Sequence, residues 1–515
     1  MRRLHCPLTG AATVMLLGAS LSLSQAPNPR LPDAQTVEGW KRQGFVPCFM
    51  GESRLELGSE PSANWVNNPL ASFQGGQNTI IRLRNAPPVP VPFGIDLGGT
   101  EFSDQDVKSL AVFKTLTGLS LSGTKVTDGG LNDLPHKGFT LLNLAKTKVT
   151  DVGVKELVAQ RELTMLDLSE TRITNQAAKE LQSLPTLQML NLHGTRVGDE
   201  GLKELGALRG LTTLNLGRSR VTNAGMKELA TLQNLKSLSL SFTAVTDAGA
   251  DEIVKLVSLT RLDFDQYGRP YNPGMTDKGV KVLSGLRNLR YLDLGGNRLT
   301  DSALKDIASF QNLEFLSLDA TKITDAGAKE LAALRNLNTL HINTIGGSLT
   351  DESAKVFSSI STLTHLGMSG SKITAKGVQS LMVLKKLETL NLDFCQSVSD
   401  SSLAELRALK NLRTLSLHAS KVTTGGMKHL AGLKTLVDLD LSATAVGDAA
   451  MSDLTALTKL EALNLHDTKV TDVGAKRLVG LKKLRTLNLG QEVTEAALKV
   501  LRSALPNCSI SQNPR

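Results

Sequence analysis

The sequence predicts an α/β solenoid, a right-handed horseshoe with short parallel strands on its concave side and short helices on its convex side. Three observations predict it. Thr124, Thr147, Thr171, Thr195, Ser219 and Thr243 recur at spacings of 23, 24, 24, 24 and 24 residues, each with leucines at −5 and −3 and, Phe139 before Thr147 excepted, at −8, such as Leu163, Leu166 and Leu168 before Thr171. Repetition at a period of 20–50 residues marks a solenoid, propeller or array. Each copy also changes its own period midway. Leu-x-x-Leu-x-Leu alternates like a strand, and after a Thr-Asp pair the apolar residues fall at +7, +10 and +13 (Ala178, Leu181, Leu184), which is helical spacing. Finally, aromatic residues make up only 3% of the chain, so the core is aliphatic and chiefly leucine.

The elements follow in order. Arg2 and Arg3, the apolar run from Ala11 to Leu23 and the small residues Ser22-Leu23-Ser24 read as an export signal over residues 1–24. Its removal lowers the formal charge from +9 to +7. That charge is mild for the length and names no nucleic-acid partner. Residues 25–92 do not repeat. They are rich in Pro, Gly, Asn and Ser, hold both tryptophans (Trp40 and Trp65), and end in a proline run from Pro87 to Pro92. A solenoid exposes core at its first coil, so this segment is expected to cover that end, with short strands at Phe45–Met50 and Thr79–Leu83. Repeats span 93–493 in about seventeen copies, and 494–515 close the far end with a helix and a final strand. Thr or Asp opens each helix as an N-cap. Three irregularities interrupt the copies: six extra residues after Tyr267, two after Ile345 and one before Ser399. Cys48, Cys395 and Cys508 are far apart in sequence and make no disulfide framework.

The copy Leu387-Glu-Thr-Leu390-Asn-Leu392-Asp-Phe-Cys395-Gln-Ser-Val398-Ser-Asp400 resembles the leucine-rich repeat family, in the versions with a short outer helix. The likeness runs from Phe93 to the C-terminus. The Thr-Asp-x-Gly copies look like exported bacterial members of that family. In the family, an Asn or Cys bonds the backbone of adjacent coils. Here Thr or Ser mostly holds that position, and a hydroxyl that donates and accepts is expected to form the same ladder. The resemblance implies a binding surface on the concave strand face and a location outside the cytoplasm: periplasmic, cell-surface or extracellular.

The concave face is built by positions −6, −4 and −2 of each copy. The −4 column is small and polar nearly throughout, from Asp96 and Ser120 to Asn464 and Asn488. One stretch differs. The only three tyrosines are Tyr267, Tyr271 and Tyr291; Phe242 precedes them, Phe315 follows, and Arg261, Asp263, Asp265, Asp293 and Asp319 fill adjoining positions. Tyr and Arg are the residue types that carry binding energy, and insertions in repeats often map to the binding face. These ten residues are the expected partner-binding site. Asp263 and Asp293 are expected side by side with Asp265 nearby, which suits a hard cation. Arg261 is expected to neutralise them, so no metal site and no cofactor are assigned. His341 and His365 lie on adjacent coils, and His193 and His418 further off, without the converging third group that metal or general-base chemistry needs. No catalytic residue is assigned. The sequence therefore points to a non-enzymatic, exported and monomeric scaffold that recognises a protein or peptide. A binder of glycan or envelope polymer, with the aromatic rings as stacking platforms, and an enzyme housed in residues 25–92 are the alternatives.

Overall fold

Every Leu-x-Leu triplet becomes a strand because its leucines fall on one face and bury there, while the residue between them faces away. The structure, a computed structural model, describes residues 35–36, 46–50, 70–74, 92–135, 138–268, 274–344 and 346–512. They group into two compact units, Met1–Thr243 and Ala244–Arg515. In the first unit, β1 (Val46–Met50) pairs antiparallel with β2 (Leu70–Gln74), and β2 runs parallel beside β3 (Phe93–Asp96). From there β4 (Leu116–Ser120), β5 (Leu141–Asn143), β6 (Met165–Asp167), β7 (Met189–Asn191), β8 (Thr213–Asn215) and β9 (Ser237–Ser239) add in parallel, one per coil. The strand expected at 45–50 is therefore present as Val46–Met50, whereas 79–83 lies outside the described residues.

The second unit repeats the pattern. It contains β10 (Arg261–Asp263), β11 (Tyr291–Asp293), β12 (Phe315–Ser317), β13 (Thr339–His341), β14 (His365–Gly367) and β15 (Thr389–Asn391). β16 (Thr414–Ser416), β17 (Asp438–Asp440), β18 (Ala462–Leu465), β19 (Thr486–Leu489) and β20 (Ser509–Gln512) complete it. All are parallel and in register, as Leu262, Leu292, Leu316 and Leu340 show. The closing helix Glu495–Ala504 and the strand after it fall where the sequence places them. The −3 and −5 leucines are fully enclosed in both units, Leu168 and Leu318 among them.

Two expectations about polar residues are corrected. The Thr column does not tie coils together. Thr147, Thr171 and Thr321 donate to the carbonyls of Leu144, Leu168 and Leu318, three residues back in their own coil, at 2.7, 2.5 and 2.6 Å. At this position the hydroxyl closes back on its own turn. The longer Asn297 does reach the preceding coil, donating to the Phe264 carbonyl at 2.8 Å, and Cys395 reaches the Met368 carbonyl at 3.4 Å.

The second correction concerns the helix start. Thr150 is the N-cap, accepting from the Val152 N–H, and the following Asp is not a local cap. Asp151 reaches across to the next coil. Its two oxygens accept the Thr174 N–H and hydroxyl, each at 2.7 Å, and Oδ1 also accepts the Ala177 N–H at 3.2 Å. Asp277 with Thr300 and Asp351 with Thr374 make the same staple in the second unit. This accounts for the Thr-Asp pair of the Thr-Asp-x-Gly signature, whose last position also takes Ala177 and Ser353. At Gly377 the Asp351 carboxylate accepts the N–H at 3.0 Å, and a Cβ there would collide with it.

Candidate functional site

The strand face away from the helices is polar for a structural reason first. Each coil leaves an N–H at position −2 as the backbone turns out of the strand, and that N–H needs an acceptor. Where −4 is Asp or Asn, it supplies one: Asp263 to Asp265, Asp293 to Gly295 and Asn391 to Asp393, at 3.0, 2.9 and 2.9 Å. Where −4 is His341, Gly367 or Ser416, the −2 residue of the preceding coil does so. Asp319 accepts from Asn343, Asn343 from Ser369 and Asp393 from His418, at 2.8, 2.7 and 2.9 Å. Much of the polar column is therefore committed to the backbone.

The −6 column of the second unit carries no such duty, and there the expected residues converge. Register places Arg261 beside Tyr291, and Tyr291 beside Phe315. The Arg261 guanidinium lies 3.3 Å from the centre of the Tyr291 ring. On the other face of that ring Phe315 is stacked, with centroids 4.0 Å apart and planes within 7°. His341 follows, its ring centroid 5.4 Å from that of Phe315 and the planes inclined at 64°. A strand spacing of ~4.8 Å puts rings on adjacent coils at stacking distance without bending either backbone. Both faces of Tyr291 are thus covered, so it is not an open platform for a sugar ring.

Beside this ladder lies the acidic row. Asp263 pairs with Asp293 in register, as expected. Burial, and then the Asp263 and Asp265 carboxylates, push Asp293 up to about 8; the Gly295 N–H and the Ser317 hydroxyl pull the other way. Burial also raises Asp319, opposed by its Asn343 bonds and by His341. Burial pushes His341 down, against the pull of Asp319. Tyr291 is held above the ordinary phenol range by burial and by Asp293. The Arg261 cation sits on the Tyr291 ring and is not among the main groups that shift Asp293. Among the described residues, no group of three His, Cys, Asp or Glu side chains is placed to hold a metal ion.

Of the other expected residues, Tyr267 is 57% exposed at the end of its coil, its N–H held by Asp265 at 2.8 Å. Tyr271 lies outside the described residues. Phe242 belongs to the first unit, half-buried, with the Arg218 guanidinium 4.9 Å from its ring. His341, to which the sequence assigns no role, extends the ladder. Phe394 was missed altogether. It is exposed and packed edge-on against His418. The signal was present in the sequence, as an aromatic at a position that is Gly370 and Ala419 in the adjoining copies and is aromatic also at Phe242.

One parallel strand and one short helix per coil, stacked on an interior of leucines, define a repeat protein of the leucine-rich type. Sequence comparison agrees. Residues 274–440 match the family described as leucine-rich repeat region, and residues 183–206, 209–230, 231–254 and 456–479 match single leucine-rich repeats. The chain belongs to the leucine-rich repeat family. No curated protein shows significant sequence similarity to it. Among solved structures, an internalin from Listeria monocytogenes is similar at 21% identity, covering 75% of this chain and 88% of that one, with a TM-score of 0.36. A leucine-rich repeat protein from Leptospira interrogans is similar at 23% identity, covering 85% and 99%, with a TM-score of 0.44. No helix among the described residues is long and apolar enough to cross a membrane.

Proposed function

We propose that this chain is a non-enzymatic scaffold that recognises a protein or peptide on the open strand face of its second unit. The leucine-rich repeat fold is in general a platform for protein–protein interaction, and this chain supplies the anchors such a platform needs. One observation carries the reading: the Arg261–Tyr291–Phe315 ladder, three large side chains locked against one another on an otherwise small polar face. Side chains already ordered before binding lose little entropy on contact, and Tyr and Arg dominate binding hot spots. Many of the titratable groups nearby are occupied in capping backbone N–H groups, which supports holding over turnover. The positive start and short apolar run of residues 1–24 support export, with 25–92 as the cover of the first coil and a monomer as the working unit.

The test uses the partner captured on the immobilised chain from the native envelope fraction. Replacing Tyr291 and Phe315 by Ala is expected to weaken that partner by more than about 2 kcal/mol, the scale of a hot spot. Unchanged affinity in the double variant would place the site elsewhere.

A further inference from the structure

We propose that the second unit reads an extended, positively charged segment of its partner, laid along the C-terminal ends of β10–β15 between Tyr267 and Phe394. The proposal rests on the recognition reading above but on different residues. In coil after coil, the residue just after position −2 turns left-handed: Gly296 at φ 68°, Ala320 at 53°, Gly370 at 73°, Phe394 at 55°, Ala419 at 53° and Ala443 at 54°. That conformation is costly for any side chain, and it is easiest for glycine. Small residues suit it best, and Gly296, Ala320 and Gly370 have that place in this stretch, whereas Phe394, like Lys146, Glu170, Arg218, Phe242 and Asp467 in other coils, keeps a larger side chain there. Phe394 has a large ring in the strained position, 55% exposed.

The ring is also supported. His418 meets it edge-on at 4.7 Å and 84°. His418 Nδ1 lies 2.8 Å from the Ser442 hydroxyl, which in turn donates to Asp440 Oδ1 at 2.5 Å. A chain of polar contacts thus fixes the histidine that steadies an exposed phenylalanine. At the other end of the track stands Tyr267, exposed to a similar degree and held through its N–H by Asp265. Gly296 lets it sit close, since a Cβ at 296 would collide with the Tyr267 backbone.

Between these two rings the equivalent positions hold only Gly296, Ala320, Thr344 and Gly370. Five strand gaps of ~4.8 Å give the track a length of roughly 24 Å, which an extended peptide at ~3.3 Å per residue crosses in about seven residues. Just inside the track lie two carboxylates, Asp319 and Asp393. Oδ1 of Asp393 accepts both the Ser416 hydroxyl and the His418 N–H, and Oδ2 takes no hydrogen bond among the described residues. Burial raises both acids above the ordinary carboxylate range, so each gains from a cation brought alongside. The occupant that fits is a strand with apolar residues eight apart, an even spacing that puts both on the face that grips the rings, and Lys or Arg at even spacings between them facing the acids.

The test uses the full chain and synthetic nine-residue peptides with Leu at positions 1 and 9 and Lys at two odd-numbered positions between, read by fluorescence anisotropy at low and high salt. Exchanging Lys for Glu, or Leu for Ser, is expected to weaken binding at least tenfold, and salt to weaken the Lys peptide. Phe394→Gly is expected to cost at least tenfold while the melting temperature stays level or rises, because glycine is at ease in the left-handed turn. Asp319→Asn with Asp393→Asn is expected to abolish the preference for Lys over Glu. Equal binding of Lys and Glu peptides, no binding of either, or wild-type affinity in Phe394→Gly would overturn the proposal. If the natural partner is lost with Tyr291→Ala but not with Phe394→Gly, the track fails and the recognition reading stands. If neither variant affects the partner, both fail.

Discussion

The same column of strand positions reads Leu141, Met165 and Met189 in the first unit and Arg261, Tyr291 and Phe315 in the second. The backbone is the same in both places, with three-residue strands, parallel register and leucines inward. Yet the first set is enclosed, at 5–6% exposure, and the second is half-open. The fold places no demand on this column, because it faces away from the leucine interior and caps no backbone group. A column that the fold leaves free is where two stretches of one solenoid can differ in use. In the first unit it is closed by apolar contact, and in the second it presents charge and rings.

Three experiments sharpen that comparison. The largest effect is expected where the units are alike. Leu190→Ala in the first unit and Leu316→Ala in the second each remove a fully buried side chain, and each is expected to cost about 2–5 kcal/mol in denaturant melts. A loss in one unit only would mean that the interiors are not equivalent.

Next come the staples. Asp151→Ala and Asp351→Ala each delete three charge-assisted bonds to the following coil. Each is expected to cost about 2–3 kcal/mol, well above the ~1 kcal/mol of an ordinary helix cap. A cost at the cap level in both would show that the staple adds nothing to the capping it replaces.

The smallest effect separates the units. Asp293 titrates near 8 in the folded chain against 3.8 for the free group, so between those values the folded state holds more protons than the unfolded one. Stability contributed by this group therefore falls as pH rises through that window. Asp293→Asn is expected to melt higher than the parent at pH 8.5 by at least the ~1.4 kcal/mol of a single pKa unit, with the gap closing toward pH 4. Asp167 in the first unit is raised by burial too, but Ser169, Asn191 and His193 oppose the shift and no second carboxylate adds to it. Asp167→Asn is expected to gain less. Parallel pH profiles for Asp293→Asn and its parent would remove the acidic row from the account.

The fold was legible because a hydrophobic period repeated about seventeen times averages away local ambiguity. The site was legible in part, since Arg261, Tyr291 and Phe315 share a column number and strands in register turn equal numbers into neighbours. Side-chain reach was not legible. Nothing in the spacing says that Thr171 bends back to its own coil while Asp151 crosses to the next, because that depends on a bond length or two at the end of a side chain. His341 was missed for a related reason: it lies in a different column from Phe315, and only the tilt of its ring brings the two into contact. Phe394 was missed because its meaning lies in a backbone angle that spacing does not report.

The account stands most directly on where a partner touches. A photo-reactive phenylalanine analogue at Thr339, outward on β13 in the second unit, at Thr213, outward on β8 in the first, and at Lys329, on the helical side, samples the alternatives in one experiment with the captured partner. The account predicts strong crosslinking from position 339 and little from 213 or 329. Crosslinks from 213 or 329 with none from 339 would contradict it.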